Sequence, residues 1–279
     1  MADAKQALRR RAILEFMARD GRQGVASLAR ALGVTGMTIR RDLQRLEREG
    51  LLLRTHGGCV PQAPLVRELT FSEKNRQWMA EKAAIAKRAV AMLQRRMAVY
   101  LDTGTTAVQV ARLLPADLSL RIFTPNLRVA FELFGRPAIE TVVFGGVLAL
   151  RSPDLVGDLA ISRISDFRFD LAFLGADALD AMTGEFYATE QASAAIARAA
   201  IRQTRRAYLL ANSAKLQAEG LAAIGRLGAE IGLITDDGIS AAAFARLRRT
   251  GAEVIRAAAS SFPLASRTRR ARRPQARSS

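Results

Sequence analysis

The stretch Val34-Thr-Gly-Met-Thr-Ile-Arg-Arg-Asp-Leu-Gln-Arg-Leu-Glu-Arg-Glu-Gly50, followed at once by Leu51-Leu-Leu-Arg-Thr-His-Gly-Gly58, decides how the amino-terminal part of the chain is read. Thr35 is a good N-cap, able to accept from the backbone amide of Thr38. Ile39, Leu43 and Leu46 recur at spacings of four and three, so they share one face of a helix, and that face must be buried. Arg40, Arg41, Gln44, Arg45 and Arg48 surround the rest of the helix. Met37, Thr38 and Arg41 stand near its start, where side chains of a helix lying in a major groove meet base edges. Gly50 supplies the stop.

Working outward, Arg9 to Arg19 carries Ile13, Leu14, Phe16 and Met17 at a helical period, and Val25 to Leu32 reads as a second short helix ending at Gly33. Three helices, the last two joined by a tight glycine-containing turn, make a helix-turn-helix. Leu51 to Arg54 and Cys59-Val60 read as short strands closed by Thr55-His-Gly-Gly58, a turn that Gly57 and Gly58 can make at positive φ. The whole is a winged helix-turn-helix. Its expected partner is double-stranded DNA, touched by Thr35, Met37, Thr38, Arg40, Arg41 and Arg45 from the helix and by Arg54 and His56 from the wing. A helical protein-interaction module with a merely solvated arginine face is the competing reading, and the order of parts disfavours it.

Charge supports a polyanionic partner. The net charge is +17 and the pI about 11.4; residues 1–60 hold an excess of six positive charges and residues 251–279 another six. No run of about 18 apolar residues occurs and the start lacks an apolar signal core, so the expectation is a cytoplasmic protein with no membrane partner. A single cysteine, Cys59, excludes an intramolecular disulfide; with a single histidine, His56, it leaves too few soft ligands for a structural zinc site. No metal and no cofactor are expected.

With 279 residues and 49% hydrophobic content, two domains are expected. Residues 1–60 form the DNA-binding head, 61–75 a linker, 76–256 an α/β sensing domain and 257–279 a basic tail. Helical periodicity runs from Phe71 to Arg95. Strands are predicted at Ala98–Leu101, Leu120–Phe123, Glu140–Phe144, Phe169–Leu174, Ala207–Leu210 and Gly232–Ile234. Helices are predicted at Thr106–Leu114, Leu127–Phe134, Leu155–Ile164, Thr189–Gln203 and Ser240–Arg249. Such alternation means a mostly parallel sheet covered on both faces. The tail, with Arg267, Arg269, Arg270, Arg272, Arg273 and Arg277, has too little apolar surface to fold; it reads as solvated chain, with an auxiliary DNA contact as the sharper alternative.

In a sheet of this kind ligands bind beyond the carboxyl ends of the strands. At Tyr100-Leu-Asp-Thr-Gly-Thr-Thr106 a strand ends, Gly104 permits close backbone approach, and Thr103, Thr105 and Thr106 sit with unpaired amides at a helix start, a cradle for a phosphate or carboxylate. Thr124-Pro-Asn126, Phe144-Gly145-Gly146 and Leu174-Gly-Ala-Asp177 are further junctions, and Lys215 in Asn212-Ser-Ala-Lys215 can neutralise an anion. Asp102, Asp177 and Glu190 offer acceptors for sugar hydroxyls. Each of these residues could instead be a cap or turn former. Their convergence on strand ends points to a small phosphorylated polyol.

Over residues 5 to 256 the chain resembles the DeoR family of transcriptional regulators. The DNA-binding signature of that family is matched by Thr38 to Leu43, Leu46-Glu47, Gly50 and Arg54 to Gly58. Its sensor half is matched by Glu81-Lys82, Asp102 to Thr106, Gly145-Gly146, Gly157, Phe173-Leu-Gly175 and Lys215. The resemblance implies a sensor fold related to ribose-5-phosphate isomerase and CoA-transferases, a sugar phosphate as effector, and a homo-oligomer. It implies a repressor of sugar or carbohydrate metabolism genes that a phosphorylated sugar releases. Two departures stand out: Thr124-Pro-Asn126 replaces the common Thr-Asn-Ser, and Asn212-Ser-Ala-Lys215 replaces Asp-Ser-Ser-Lys. The alternatives are an isomerase-like enzyme using Asp177 and Lys215, and a nonspecific basic DNA binder; no enzymatic activity is expected.

Overall fold

A computed structural model describes residues 6, 9–10, 12–14, 16–17, 23–48, 51–55, 57–61 and 70–258, and the chain divides into two compact units, Met1–Arg67 and Glu68–Ser279. Gly50, His56, linker residues 62–69 and the tail from 259 onward lie outside the described residues.

In the first unit the described residues between 6 and 17 are helical, followed by β1 (Gln23–Gly24), α1 (Val25–Leu32), α2 (Gly36–Arg48), β2 (Leu52–Thr55) and β3 (Gly58–Pro61). Gly33 closes α1 in the left-handed region, at φ 63°, and its amide returns to the carbonyls of Ala29 and Arg30. The cap on α2 forms as expected, with the Thr38 amide donating to Thr35 Oγ1 at 3.3 Å. Ile39, Leu43 and Leu46 then pack with Ile13, Met17, Leu28, Leu52 and Cys59 in one buried cluster. Burial raises the Cys59 thiol pKa, as befits a small apolar core residue.

The wing is a three-stranded antiparallel sheet in the order β1-β3-β2, one strand more than the sequence indicates. Gly58 explains the addition. It does not adopt the expected positive φ; instead a Cβ there would stand 1.9 Å from the Gln23 carbonyl oxygen, so glycine is needed to admit β1.

The second unit is built on a seven-stranded, wholly parallel sheet. Its strands are β4 (Ala98–Leu101), β5 (Leu120–Thr124), β6 (Ile139–Val143), β9 (Phe169–Leu174), β12 (Thr204–Leu210), β14 (Ile231–Asp236) and β15 (Val254–Ala257), in the order β15-β14-β12-β9-β4-β5-β6. Both faces are covered. Tyr100 points into one cluster with Ile164 and Ala194, while its neighbours Val99 and Leu101 point into the other with Ile85, Val108 and Val129, the alternation a strand imposes.

Helices α3 (Phe71–Arg76), α4 (Met79–Val90), α5 (Thr105–Leu113), α6 (Leu127–Leu133), α7 (Asp158–Ser165), α8 (Gln191–Arg202) and α9 (Ala241–Arg248) surround the sheet. Three readings are corrected. The helix expected from Phe71 to Arg95 breaks at Trp78, which adopts φ 55°, and residues 71–75 of the expected linker belong to α3. Leu155-Val156, expected to open a helix, is β8 and pairs with β7 (Val147–Leu148); α7 starts only after Gly157 at φ 95°. A separate antiparallel sheet of β10 (Ala178–Leu179), β11 (Glu185–Ala188) and β13 (Ala222–Arg226), together with β15, has no counterpart in the sequence reading.

Candidate nucleic-acid interface and ligand cavity

On the head, α2 buries its apolar stripe and leaves Met37, Arg40, Arg41 and Arg45 exposed, with Met37 at 63% despite its apolar side chain. Thr38 is half-buried, its hydroxyl 3.0 Å from that of Thr35, so the first turn is stiffened where base contacts are expected. Buried Asp42 accepts from Arg9 Nε at 2.5 Å, tying the amino-terminal helical segment to α2. Arg54 is exposed on β2, and Glu47 accepts its backbone amide at 3.1 Å, which orients the wing strand against α2. His56 lies outside the described residues.

In the second unit a cavity of about 270 Å³ opens at the carboxyl ends of β4, β9 and β12. Gly104, at φ 98°, is the N-cap of α5 and no side chain caps that helix, so the first-turn amides and the hydroxyl-bearing Thr103, Thr105 and Thr106 form one wall. Gly175 permits the adjoining wall, since a Cβ would stand 2.8 Å from the Thr103 carbonyl oxygen.

Three lysines converge here. Lys74 on α3 donates to Asp177 Oδ1 at 2.7 Å, and Lys215 Nζ is 3.9 Å from the same oxygen. Lys82 on α4, only 6% exposed, donates to the carbonyl of Lys74. Burial brings Lys82 down to about 8; the positive charges of Lys215 and Lys74 push the same way and Glu81 opposes them. Burial also lowers Lys215, partly offset by Asp177. For Asp177 burial pulls upward, but Lys74, Lys215 and the Thr189 amide together hold the carboxyl below its ordinary range. Such a carboxylate is a weak base, which argues against an isomerase-type role.

Two other carboxyls behave oppositely. Burial raises Asp102 to about 6, against the opposing bonds from Gly175, Thr103 and Tyr100. Burial likewise raises Asp154 to about 7, opposed by Ser152 and Lys74 and assisted by Asp102 and Glu190. Asp102 is engaged on both oxygens, by the Gly175 amide and the Tyr100 hydroxyl, each at 3.0 Å. Asp154 Oδ1 and both amide atoms of Asn212, by contrast, are buried without any hydrogen-bond partner.

Of the residues singled out in the sequence, Asp102, Thr103, Gly104, Thr105, Thr106, Asp177 and Lys215 meet in the cavity wall. Thr124, Asn126, Gly145, Gly146 and Glu190 do not line it. Thr124 Oγ1 accepts the Asn126 amide, and Asn126 Oδ1 accepts the amides of Arg128 and Val129, so this fully buried pair caps α6. Gly146 serves the β7–β8 hairpin, where a Cβ would meet the Val156 carbonyl oxygen at 2.6 Å. Glu190 is the backbone N-cap of α8. Lys74, Trp78, Lys82, Asp154 and Asn212 line the cavity but were not among the site residues expected from sequence. The capping box of Thr70 with Glu73 was a readable signal for α3 and hence for Lys74.

A winged helix-turn-helix head joined to an α/β sensor unit defines a DNA-binding transcriptional regulator. The chain belongs to the DeoR family: a DeoR-like helix-turn-helix domain matches residues 9–62 and a DeoR C terminal sensor domain matches residues 77–237. The family is one of regulators and not of enzymes.

Among its relatives, the HTH-type transcriptional regulator GlpR of Haloferax volcanii is 42% identical over 63% of this chain and 69% of its own length. The putative aga operon transcriptional repressor of Escherichia coli O157:H7 is 32% identical over 88% and 92%. The glycerol-3-phosphate regulon repressor of Escherichia coli K12 is 29% identical over 83% and 91%. Among solved structures, ribose 5-phosphate isomerase A from Methanocaldococcus jannaschii matches at 18% identity and TM-score 0.37, over 48% of this chain and 52% of that one. The sorbitol operon regulator SorC from Klebsiella pneumoniae matches at 13% and 0.33, over 74% and 90%. No helix among the described residues is long and apolar enough to cross a membrane.

Proposed function

We propose that this regulator represses genes of sugar or carbohydrate metabolism in the cytoplasm and leaves its operator when a phosphorylated sugar occupies the sensor cavity. The observation that carries the reading is the charge of that cavity. An uncapped helix start faces the same small space as Lys74, Lys82 and Lys215, an arrangement suited to a phosphate. Relatives named for the glycerol-3-phosphate regulon and the aga operon support the pathway class.

The head spans residues 1–60 and the sensor, α3 included, residues 71–256, and the protein acts as a homo-oligomer whose two heads grip half-sites of one operator. Thr35, Met37, Thr38, Arg40, Arg41 and Arg45 face the major groove, while Arg54 and His56 follow the backbone. Effector binding releases DNA by favouring a head spacing that fits the operator worse, and a coupling of ~1–3 kcal/mol changes affinity by about 5- to 150-fold.

The test begins with genomic fragments bound by the purified protein at near-physiological salt. A shared motif beside sugar-metabolism genes is expected, and operator affinity should fall at least fivefold with one of a panel of sugar phosphates. Uniform recovery of all fragments, or an affinity no phosphosugar alters, would overturn the reading. On the recovered operator, Arg41→Ala should cost about 1–3 kcal/mol and relax preference at one or two base pairs, measured by competition with single-base variants.

A further inference from the structure

Within the cavity, the uncapped helix start and the buried amide of Asn212 come from different strand ends, while Lys215 follows the same strand as Asn212. The uncapped start of α5 follows β4, whereas Asn212 follows β12, and β9 lies between those two strands. At ~4.8 Å per strand spacing the two features originate roughly 10 Å apart along the sheet edge. A ligand whose anionic group sits at the helix start and which also reaches Asn212 therefore presents to that amide a second, separate polar group.

Asn212 sets the chemistry of that second end. Its side chain lines the cavity, the residue is 4% exposed, and neither Oδ1 nor Nδ2 has a hydrogen-bond partner. A buried amide in this state is destabilising until something supplies both an acceptor for its N–H groups and a donor for its oxygen. The neighbouring carboxylates make their own bonds: Asp177 to Lys74 and Thr189, and Asp236 to Ser213 and Gly238.

We infer that Asn212 is a specificity-determining residue that holds a vicinal diol at the end of the ligand remote from its phosphate, and so selects phosphorylated polyols over phosphorylated acids. One hydroxyl donates to Oδ1 while the adjacent oxygen accepts from Nδ2. A carboxylate can only accept, so it would leave Oδ1 unpaired and face it with negative charge. An aspartate at this position could accept from both hydroxyls but would have no N–H to offer, so the asparagine differs in requiring one acceptor as well as one donor from the ligand. The inference rests on the phosphosugar reading above.

The experiment is titration calorimetry on the full-length protein with inorganic phosphate, with 3-phosphoglycerate and with matched pairs. These are ribose 5-phosphate and 2-deoxyribose 5-phosphate, and glycerol 3-phosphate and 1,3-propanediol monophosphate. In at least one pair the diol compound should bind about 10-fold or more tighter than its deoxy partner, and tighter than 3-phosphoglycerate by a similar factor. In Asn212→Leu, of similar volume, that preference should shrink to about twofold, with inorganic phosphate affected less than twofold; Asn212→Ala serves if the leucine variant does not fold, judged by thermal melting. Equal binding within every pair, or a preference that survives both substitutions, overturns the role of Asn212 and leaves the phosphosugar reading standing. If none of the phosphates binds, inorganic phosphate included, that broader reading falls with it.

Discussion

Burial raises Asp154 to about 7 and Asp102 to about 6, and each shift works against the folded state at neutral pH. Between the ordinary carboxylate range and pH 7 the folded protein holds a proton on Asp154 that the unfolded chain has already lost. Its contribution is therefore fully present at low pH and declines as pH rises toward 7. Over pH 5 to 7 the Asp154 contribution should fall by roughly 2 kcal/mol, at 1.36 kcal/mol per unit. Asp154→Asn removes this slope, so denaturant unfolding should find the variant gaining on the native protein by about that amount between the two pH values; parallel profiles would contradict the shift. Lys82 has the reverse sign, losing its proton near 8 while the unfolded chain keeps it, so it favours folding as pH rises beyond 8. At this scale the sequence showed Asp102 and Thr103 to Thr106, because a strand end followed by glycine and hydroxyls is a local pattern. It did not show Asp154, whose carboxyl acquires its properties only from burial.

Elements form where local signals and packing agree. In α2 the Thr35 cap and the stripe of Ile39, Leu43 and Leu46 coincide, and the helix is found where the spacing puts it. Gly58 shows the other side. Its role depends on β1, a two-residue strand that no periodicity could announce. Gly58→Ala forces a Cβ against the Gln23 carbonyl, and the backbone atoms involved have no soft direction in which to yield. The substitution should destabilise the head by about 2–3 kcal/mol and weaken operator binding in proportion, read by thermal melting and gel shift. A head of unchanged stability would mean that β1 is dispensable. The strands β10, β11 and β13 escaped the sequence for a similar reason: each is two to five residues long and they pair antiparallel outside the main sheet. The break at Trp78 was equally unannounced, since no glycine or proline marks it.

For the whole molecule, charge sets how DNA binding responds to salt. The net charge of +17 includes six arginines between 267 and 277, a segment outside the described residues. Where those arginines meet phosphates, each contact steepens the fall of affinity with salt by ≈0.9 in the log–log slope. If the tail makes that contact, deleting residues 265–279 should flatten the slope by at least 1 and weaken binding alike on all duplex sequences. An unchanged slope would leave the tail as solvated chain.

The sequence by itself determined the helix-turn-helix, its basic surface, the alternation that builds a parallel sheet, and the strand-end turn from Asp102 to Thr106. All of these are written in neighbouring residues, as caps, periods and charge. Only the tertiary structure decided which junctions form a site. It joined Lys74 to Asp177 across 103 residues, sent Thr124 and Asn126 to cap a helix, and left Asn212 buried in the cavity wall without a partner. Those outcomes depend on which strands lie side by side and on what burial excludes from water, and neither is expressed by residues close together in the chain.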